Sequence, residues 1–194
     1  MKSMLLVMDM MNDLIHPDGV NAKTYVVQAT ERQLYANTVR AIAAARAAGV
    51  PVGYVRVGFS PDYRECPLAS PIFSKAKGAG LFQLGTWGTE VYPEFAPQPG
   101  DFDIVKHRVS PFYGTSLEPI LRAQGIGRLV LSGVSTNGVV QGAAREGHDR
   151  DYAITLLDDC CCGATEDEHN FALAGLRRFA EVSTSGDYRF EAQS

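Results

Sequence analysis

The 194-residue sequence predicts an α/β fold: a doubly wound, mainly parallel six-stranded sheet with helices on both faces, in one domain over residues 1–194. Two observations predict it. Short apolar runs alternate with segments of helical spacing along the chain, and no repeat, linker or low-complexity tract interrupts them. Strands separated by helices pair in parallel, and right-handed crossovers then favour a Rossmann-like strand order.

The first half of the chain contains three predicted strands and one predicted helix. The run Met4–Met10 is apolar except for Asp9, which is typical of a buried strand. Apolar residues recur at helical spacing within Gln28–Ala48, and a glycine and a proline then end that helix. The other two strands of this half are predicted at Val52–Val57 and Phe102–Lys106.

A long segment, residues 59–100, separates the second and third strands and holds much of the chain's proline and glycine. Its apolar pieces are too short to form regular elements. We refer to residues 59–100 as the excursion. Long irregular segments in compact domains are usually binding loops or lids, so we expect the excursion to border a ligand site.

The second half of the chain repeats the alternation of strands and helices. Thr115 with Glu118, and Thr165 with Glu168, have the spacing of capping boxes and therefore predict two helix starts. The second of these helices is predicted to end near Phe179. The remaining elements are predicted strands at Arg128–Val134, Tyr152–Leu157 and Glu181–Thr184, and a helix over Asn137–Arg150.

Composition argues against several classes of partner. The net charge is -4 and no basic run is present, so we expect no nucleic-acid partner. No apolar stretch has the length of a membrane span, and the N-terminal run is interpreted as a strand and not as a signal peptide. The four cysteines, Cys66 and Cys160–Cys162, do not have the spacing of a disulfide framework, which favours the cytoplasm.

No cofactor or metal is expected. A GxGxxG fingerprint follows none of the predicted strands, so a dinucleotide cofactor is not supported. Metal ligands need clustered side chains. The histidines are instead scattered, at His16, His107, His148 and His169.

Open parallel sheets bind ligands outside the carboxyl ends of their strands. This rule selects Asp9, Arg56, Lys106 and the turn 135–139. A partly desolvated Asp9 could have a usefully raised proton affinity, although a solvated acid at a strand end is the plainer interpretation. Lys106 could keep such a carboxylate ionised, or could be a surface lysine in the KHR triplet. Asp13 is assigned a structural role, orienting the loop that follows it.

The segment GVSTNGVV, residues 133–140, combines a strand, a turn and the start of a helix. The first amides of a helix have no partner within it and can bind an oxyanion or a carboxylate. We assign this role to the backbone of Ser135, Gly138 and Val139. The alternative is an ordinary turn in which Asn137 caps the helix.

Further candidates for substrate binding are aromatic and polar residues near the strand ends. Arg56 could pair with a substrate carboxylate or with a neighbouring acid, and Asn137 lies in the turn itself. The aromatic residues could form walls for a small planar substrate, or they could serve packing or subunit contacts. They are Phe59, Trp87, Phe112 and Tyr113.

Three segments, DMMND, KHRVSPFYGT and GVSTNGVVQGAAREGHDRDY, occur in that order and closely resemble the isochorismatase-like (cysteine hydrolase) superfamily. Its members include nicotinamidases, N-carbamoylsarcosine amidohydrolases and isochorismatases. The resemblance extends over nearly the whole chain, including VRVGFSPDY and GTWGTEVYPEF. It implies an isochorismatase-like fold and a cofactor-free hydrolase of a small molecule. Asp9 and Lys106 match the family's aspartate and lysine, and Val139 occupies the position of the family's cysteine.

The resemblance implies two possible reactions without that cysteine. Isochorismatases also lack it, and their aspartate is thought to protonate the carbon of an enol ether. Asp9 could do the same, or could be a general base for water that attacks an ester or an amide. The rival interpretation is a catalytically silent relative that binds a ligand. The thiols of Cys160–Cys162 are expected to pack as small buried hydrophobes and not to replace the nucleophile.

A homo-oligomer, a dimer or a tetramer, is also expected. Relatives commonly associate, and the excursion is expected to expose apolar residues. The small-molecule substrate is the other expected partner.

Overall fold

The computed structural model describes residues 1–192, and its six strands form one sheet. Every adjacent pair of strands is parallel, and the order β3-β2-β1-β4-β5-β6 puts the reversal of strand order at β1 and β4. The predicted doubly wound parallel sheet is confirmed. The strands are β1 Ser3–Met8, β2 Val52–Val57, β3 Phe102–Lys106, β4 Arg128–Val134, β5 Ala153–Cys162 and β6 Glu181–Ser183.

Helices cover both faces of this sheet. The helices are α1 Asn12–Ile15, α2 Ala22–Glu31, α3 Leu34–Ala47, α4 Ala76–Ala79, α5 Leu117–Gln124, α6 Gln141–His148 and α7 Glu166–Leu176. Leu5 and Val7 of β1 pack on the face that α2, α3 and the excursion cover. Met4 and Leu6 pack on the opposite face, with α5, α6 and α7. Because β1 is buried on both sides, its sequence is apolar from Met4 to Met8 and does not alternate.

The predicted helix over Gln28–Ala48 is wrong in its bounds. The structure has two helices there, α2 and α3, which are separated at Arg32 and Gln33. Gln33 has a left-handed backbone conformation, with φ of 53°, and this stops the first helix before the second begins. Glutamine carries no sequence signal for such a break, since glycine and asparagine are the usual residues there.

One of the two predicted capping boxes forms in part, and the other is wrong. The Thr165 hydroxyl accepts the Glu168 amide hydrogen at 3.2 Å and starts α7. The Thr115 hydroxyl instead donates to the Pro111 carbonyl at 2.5 Å, and α5 begins two residues later. The Glu118 carboxylate pairs with the Arg122 guanidinium at 2.7 Å, so it does not close a box.

The region around β4 and β5 also departs from the prediction. The helix predicted over Asn137–Arg150 is a π-helical turn, Thr136–Val140, followed by α6. The fifth strand does not end at Leu157 but continues to Cys162, so the cysteine run lies inside the sheet. The pairing with β4 is irregular: Leu131 lies opposite Leu156, and Gly133 lies opposite Cys161. β5 therefore carries extra residues at this point, which changes the direction of the side chains between them.

The excursion is ordered and partly buried. It contains α4 and two short 3₁₀ turns, Trp87–Thr89 and Pro93–Phe95. Its aromatic side chains fill the core on the α2–α3 face, which explains why an irregular segment keeps a defined position. Those that are buried are Phe59, Tyr63, Phe73, Phe82 and Phe95.

Several large apolar side chains remain exposed on this single chain, among them Leu68, Ile72, Trp87, Tyr113 and Phe171. The first three belong to the excursion, as expected. The homo-oligomer itself stays a prediction. None of the helices described over residues 1–192 is long and apolar enough to cross a membrane.

A substitution at Gly133 tests how closely the backbones of β4 and β1 are packed. The φ of Gly133 is 154°, and a Cβ at this position would lie 2.5 Å from the Met8 carbonyl oxygen. We expect Gly133→Ala to lower the free energy of unfolding by about 2–4 kcal/mol, because neither backbone can yield without breaking the strand pairing. Chemical denaturation measures this change.

Gly142→Ala is the matched control. It lies in α6, and a Cβ there would meet its nearest neighbours at 3.9 Å. It should leave stability unchanged or raise it by up to about 1 kcal/mol. Equal stability of the two variants would contradict the close packing of β4 on β1.

Candidate active site

Asp9 lies directly after β1, and its carboxylate receives two hydrogen bonds. Oδ1 accepts the Val57 amide hydrogen at 2.8 Å, and Oδ2 lies 2.8 Å from Nζ of Lys106. Val57 ends β2 and Lys106 ends β3, so three neighbouring parallel strands bring these groups to one edge of the sheet. Of the two interpretations of Lys106, the structure supports the one in which it pairs with the Asp9 carboxylate.

Both members of this pair are buried. Asp9 is 5% exposed and Lys106 is 2% exposed. Burial raises the pKa of Asp9 above its ordinary value, while the positive charge and hydrogen bond of Lys106 and the amide of Val57 oppose the rise. The ammonium of Lys106 also donates to the Arg108 carbonyl at 3.0 Å. The structure therefore compensates both buried charges.

A cavity of about 100 Å³ opens onto this pair. It is smaller than the roughly 300–1,000 Å³ that is usual for drug-sized ligands, so it suits a molecule of few heavy atoms. The strand ends, α2, the excursion and the turn after β4 all contribute to its wall. Its lining residues are Asp9, Leu14, Asn21, Tyr25, Val57, Ile72, Phe73, Leu81, Phe82, Lys106, Val109, Val134, Ser135, Gly138 and Val139.

The turn after β4 contributes Ser135, Gly138 and Val139 to the cavity, as the sequence predicts. The Ser135 carbonyl accepts the amide hydrogens of Gly138 at 3.1 Å and of Val140 at 3.3 Å. The Gly138 amide is therefore already engaged within the turn, contrary to its expected role as an anion donor. The side chain of Val139 is 3% exposed and packs into the apolar core.

Asn137 does not cap this turn. The residue at the cap position is Ser135, and the Asn137 side chain donates to the Glu168 carboxylate at 3.1 Å. Asn137 is exposed and does not line the cavity. Asn137 therefore does not face the cavity, contrary to its predicted role in substrate binding, and instead links the turn to α7.

Thr136, at the start of the turn, belongs to a hydrogen-bond chain that we call the brace: Thr136, His169, Asp158 and Arg32. Thr136 and His169 are buried, and Asp158 and Arg32 are half-buried. The Thr136 hydroxyl lies 2.7 Å from Nδ1 of His169, and Nε2 of His169 lies 2.8 Å from the Asp158 carboxylate. That carboxylate also accepts from the Arg32 guanidinium at 2.5 Å. The hydrogen bond from His169 and the charge of Arg32 lower the pKa of Asp158. The brace fixes the position of the turn.

Tyr25 and Asn21 line the cavity although the sequence analysis assigned them no role. The Tyr25 phenol interacts with the Ser135 side chain, and burial raises its pKa, so it remains a protonated donor at neutral pH. Neither residue was predicted, because the helical spacing in the sequence places the helix start at Gln28, whereas α2 begins at Ala22. Tyr25 directly precedes Val26 and Val27, and this short apolar run was the sequence signal for an earlier helix start.

Like Asn137, the five other residues predicted to bind substrate lie outside the cavity lining. Phe112 is buried and packs on Tyr152. The Arg56 guanidinium donates to the Asp103 carboxylate and the Thr89 carbonyl, which makes it structural. Phe59 is fully buried behind the cavity wall and packs on Phe73. The other two remain exposed on the surface: Trp87 is 44% exposed and Tyr113 is 66% exposed.

The cysteines also lie outside the cavity lining, within the described residues 1–192. All four are buried. Burial raises the pKa of Cys162 to about 12 and that of Cys160 further, so these thiols stay protonated at neutral pH. They behave as the small buried hydrophobes that the sequence analysis expected.

Asp13 has a structural role, as predicted, but its side chain holds the excursion and not the loop that follows it. Its carboxylate accepts the Phe82 amide hydrogen at 2.8 Å and so ties the excursion to α1. Gly88 approaches the same carboxylate so closely that a Cβ there would lie 2.3 Å from its oxygen. Over residues 1–192, no group of three or more His, Cys, Asp or Glu side chains is arranged to hold a metal ion.

Comparison with known proteins gives a family match over most of the chain. Residues 3–187 match the isochorismatase domain. The chain belongs to the isochorismatase family of hydrolases. Its similarity to individual members of that family is moderate, and it extends over nearly the whole length of this chain.

Two relatives are named ureidoacrylate amidohydrolase RutB. The protein of Methylobacterium radiotolerans is 33% identical over 188 residues, which cover 90% of this chain and 73% of the relative. The protein of Methylorubrum extorquens is 35% identical over 170 residues, which cover 81% and 68%. In each case the relative is longer than the region that it shares with this chain.

Solved structures in the family have the same fold. The N-carbamoylsarcosine amidase of Thermoplasma acidophilum has a TM-score of 0.80 at 30% identity, over 98% of this chain and all of its own. An isochorismatase family protein of Desulfovibrio vulgaris has a TM-score of 0.84 at 24% identity, over 95% of both chains. The isochorismatase-like fold predicted from the sequence is therefore confirmed.

The brace can be tested with Thr136→Val, which removes one hydroxyl and keeps the shape of the side chain. His169 is fully buried and would lose the partner of Nδ1. We expect the free energy of unfolding to fall by about 1–3 kcal/mol, the usual cost of an unsatisfied buried polar group. Thr30→Val is the control, because Thr30 is exposed and should change stability by less than about 0.5 kcal/mol. Equal losses in both variants would show that the brace adds no stability.

Proposed function

We propose that this protein hydrolyses an amide or ester bond of a small molecule with water that Asp9 activates, and without a cysteine nucleophile. One observation carries the proposal: both oxygens of the Asp9 carboxylate accept hydrogen bonds from N–H donors, Val57 and Lys106, at the mouth of the cavity. This arrangement favours the ionised form. An ionised carboxylate has lone pairs left to accept a proton from water, as a general base does.

The reaction follows from this geometry. Asp9 takes a proton from water while the water oxygen forms a bond to the substrate carbonyl carbon. The carbonyl electron pair moves onto its oxygen, where the ammonium of Lys106 and the phenol of Tyr25 can stabilise the charge. When the oxygen re-forms the carbonyl, the bond to the leaving nitrogen or oxygen breaks. Asp9 returns its proton to that leaving atom, and the products are an acid and an amine or alcohol.

The relatives support this choice of reaction. Two are named amidohydrolases and a structural relative is named an amidase, so carbonyl hydrolysis occurs on this fold. Hydrolysis of an enol ether, the other reaction considered, would need Asp9 to give up a proton. The two N–H donors that face its oxygens favour the ionised form, while burial raises the pKa and favours the protonated form, so the pH dependence of turnover decides between the two reactions.

A second candidate function is binding of a small ligand without turnover. It is favoured by Val139, whose isopropyl group is apolar and packs into the core where the family resemblance places a nucleophile. A screen for turnover of small amides and esters distinguishes hydrolysis from binding without turnover. Ligand binding with no product at prolonged incubation would favour the silent protein.

Asp9→Asn tests the general base. The amide group has nearly the same shape but cannot accept a proton from water, so we expect turnover to fall about a hundredfold or more. Steady-state kinetics measure the loss, and thermal unfolding of the variant checks that the fold survives with Lys106 unpaired. The control is Asp103→Asn, which removes a carboxylate that pairs with Arg56 outside the cavity. Full activity in Asp9→Asn would exclude Asp9 as the base.

The pH dependence of turnover distinguishes a base from an acid. Burial raises the pKa of Asp9 above the ordinary value of 3.8. A base must be ionised, so turnover should rise as the pH increases through this raised pKa and should be lost below it. Measurement of kcat/KM across the acid range tests this. Turnover that falls as the pH rises through the same range would assign Asp9 the role of an acid.

Thiol chemistry can be tested separately. Because Cys66 and Cys160–Cys162 are buried outside the cavity lining, iodoacetamide under native conditions should leave turnover unchanged. Intact-protein mass spectrometry during turnover should show no covalent substrate adduct. An adduct on any cysteine would overturn the thiol-free mechanism. Val139→Cys is a second variant to measure. Weak thiol-dependent amidase activity in this variant would show that the turn accommodates the family's nucleophile.

A further inference from the structure

Asp9 and Ser135 follow two strands that pair directly with each other. Met8 of β1 lies opposite Gly133 of β4, so Asp9 comes one residue beyond this pair and Ser135 comes two residues beyond it. These strands are the ones at which the strand order reverses. Both residues line the cavity of about 100 Å³, and in so small a space one molecule can contact both side chains.

The position of the Ser135 hydroxyl depends on the residue at position 138. A Cβ at Gly138 would lie 2.7 Å from Oγ of Ser135. Apart from the adjoining residues and the backbone of its own helical turn, no other atom lies within 4 Å of that Cβ. Gly138 therefore leaves open the space that the Ser135 hydroxyl occupies.

The oxygen of this hydroxyl is able to accept a hydrogen bond. Burial raises the pKa of Tyr25, and a hydrogen bond with the Ser135 side chain opposes the rise, as it does when the hydroxyl donates to the phenol oxygen. The lone pairs of Oγ then remain for another donor. The Ser135 carbonyl differs in this respect, because it already accepts the amide hydrogens of Gly138 and Val140.

The other neutral or cationic polar side chains of the described lining are less suited to accept a hydrogen bond. The ammonium of Lys106 is only a donor. Oδ1 of Asn21 already accepts the Thr24 hydroxyl hydrogen at 2.9 Å. The phenol of Tyr25 is engaged with Ser135 and is needed for the charge that develops on the substrate. Apart from Asp9 itself, the rest of the lining is apolar or glycine.

We propose that the Ser135 hydroxyl is a further catalytic group, which accepts one hydrogen of the attacking water while Asp9 accepts the other. Water held by a single acceptor rotates about that hydrogen bond, whereas two acceptors fix both hydrogens and direct a lone pair at the carbonyl carbon. Asp9 then removes its proton as the water oxygen bonds to that carbon, and no bond to Ser135 forms or breaks. This inference rests on the proposed function, since it requires water as the nucleophile.

Ser135→Ala and Gly138→Ala test this role in different ways. The first variant removes the hydroxyl, and the second keeps it but displaces Oγ with a new methyl group. We expect each to lower kcat by about tenfold or more and to leave KM nearly unchanged, because the hydroxyl acts on the water and not on the bound substrate. The probes are acetamide and ethyl acetate, and the acetate released is measured. Gly142→Ala is the matched control and should retain full activity.

The double variant shows whether Gly138→Ala acts through the hydroxyl. Adding Gly138→Ala to Ser135→Ala should cause no further loss, because the oxygen that the methyl group displaces is already absent. Losses that multiply would count against the proposal. Thermal unfolding identifies any variant that does not fold, and the remaining single variant, compared with Gly142→Ala, then decides.

The outcomes separate this inference from the proposed function. Turnover that requires Asp9 but is unchanged in Ser135→Ala and Gly138→Ala would refute the role of Ser135 and leave the proposed function intact. An acetyl ester on Ser135, detected by mass spectrometry during turnover of ethyl acetate, would make the hydroxyl the nucleophile and would overturn both. Absence of turnover of both probes by the wild-type protein would also count against both.

Discussion

The ion pair between Asp9 and Lys106 sets the conditions for everything else at this end of the sheet. Two charges in a nearly water-free position are tolerated only when each has its counter-ion and its hydrogen bonds. Parallel strand order meets that demand, because β1, β2 and β3 end side by side and supply the carboxylate, an amide and the ammonium respectively. The backbone amide of Val57 thus adds to the larger effect of the lysine on the Asp9 carboxylate.

The cavity wall depends on contacts that are distant in the sequence. Asp13 fixes Phe82, and the aromatic side chains of the excursion fill the core behind it, so the irregular segment forms part of a defined pocket. From α2, Tyr25 adds a hydrogen-bond donor beside Ser135. The result is a small pocket with one compensated ion pair and several neutral donors, which is a chemical setting suited to polarising a carbonyl group.

Much of this could be predicted from the sequence, and the limits have physical causes. The sheet followed from apolar periodicity. The rule that ligands bind at strand ends selected Asp9 and Lys106 as candidates, and the family resemblance assigned them their roles. The break at Gln33 could not be anticipated, because it depends on tertiary packing and not on residue preference. Arg56 was misassigned for a related reason. A strand-end position does not reveal that an acid on the neighbouring strand, Asp103, already occupies the side chain.

The brace has a mechanical consequence for the whole molecule. Arg32 comes from the junction of the helices on one face of the sheet, Asp158 belongs to β5, and His169 lies on the helix of the opposite face. Sliding either helical layer along the sheet would stretch short charge-assisted bonds that cross it. Shear between layers, a common way for α/β proteins to open, is thereby opposed. The part of the cavity wall that the turn after β4 supplies, Ser135, Gly138 and Val139, is therefore the part that this resistance to shear holds in place.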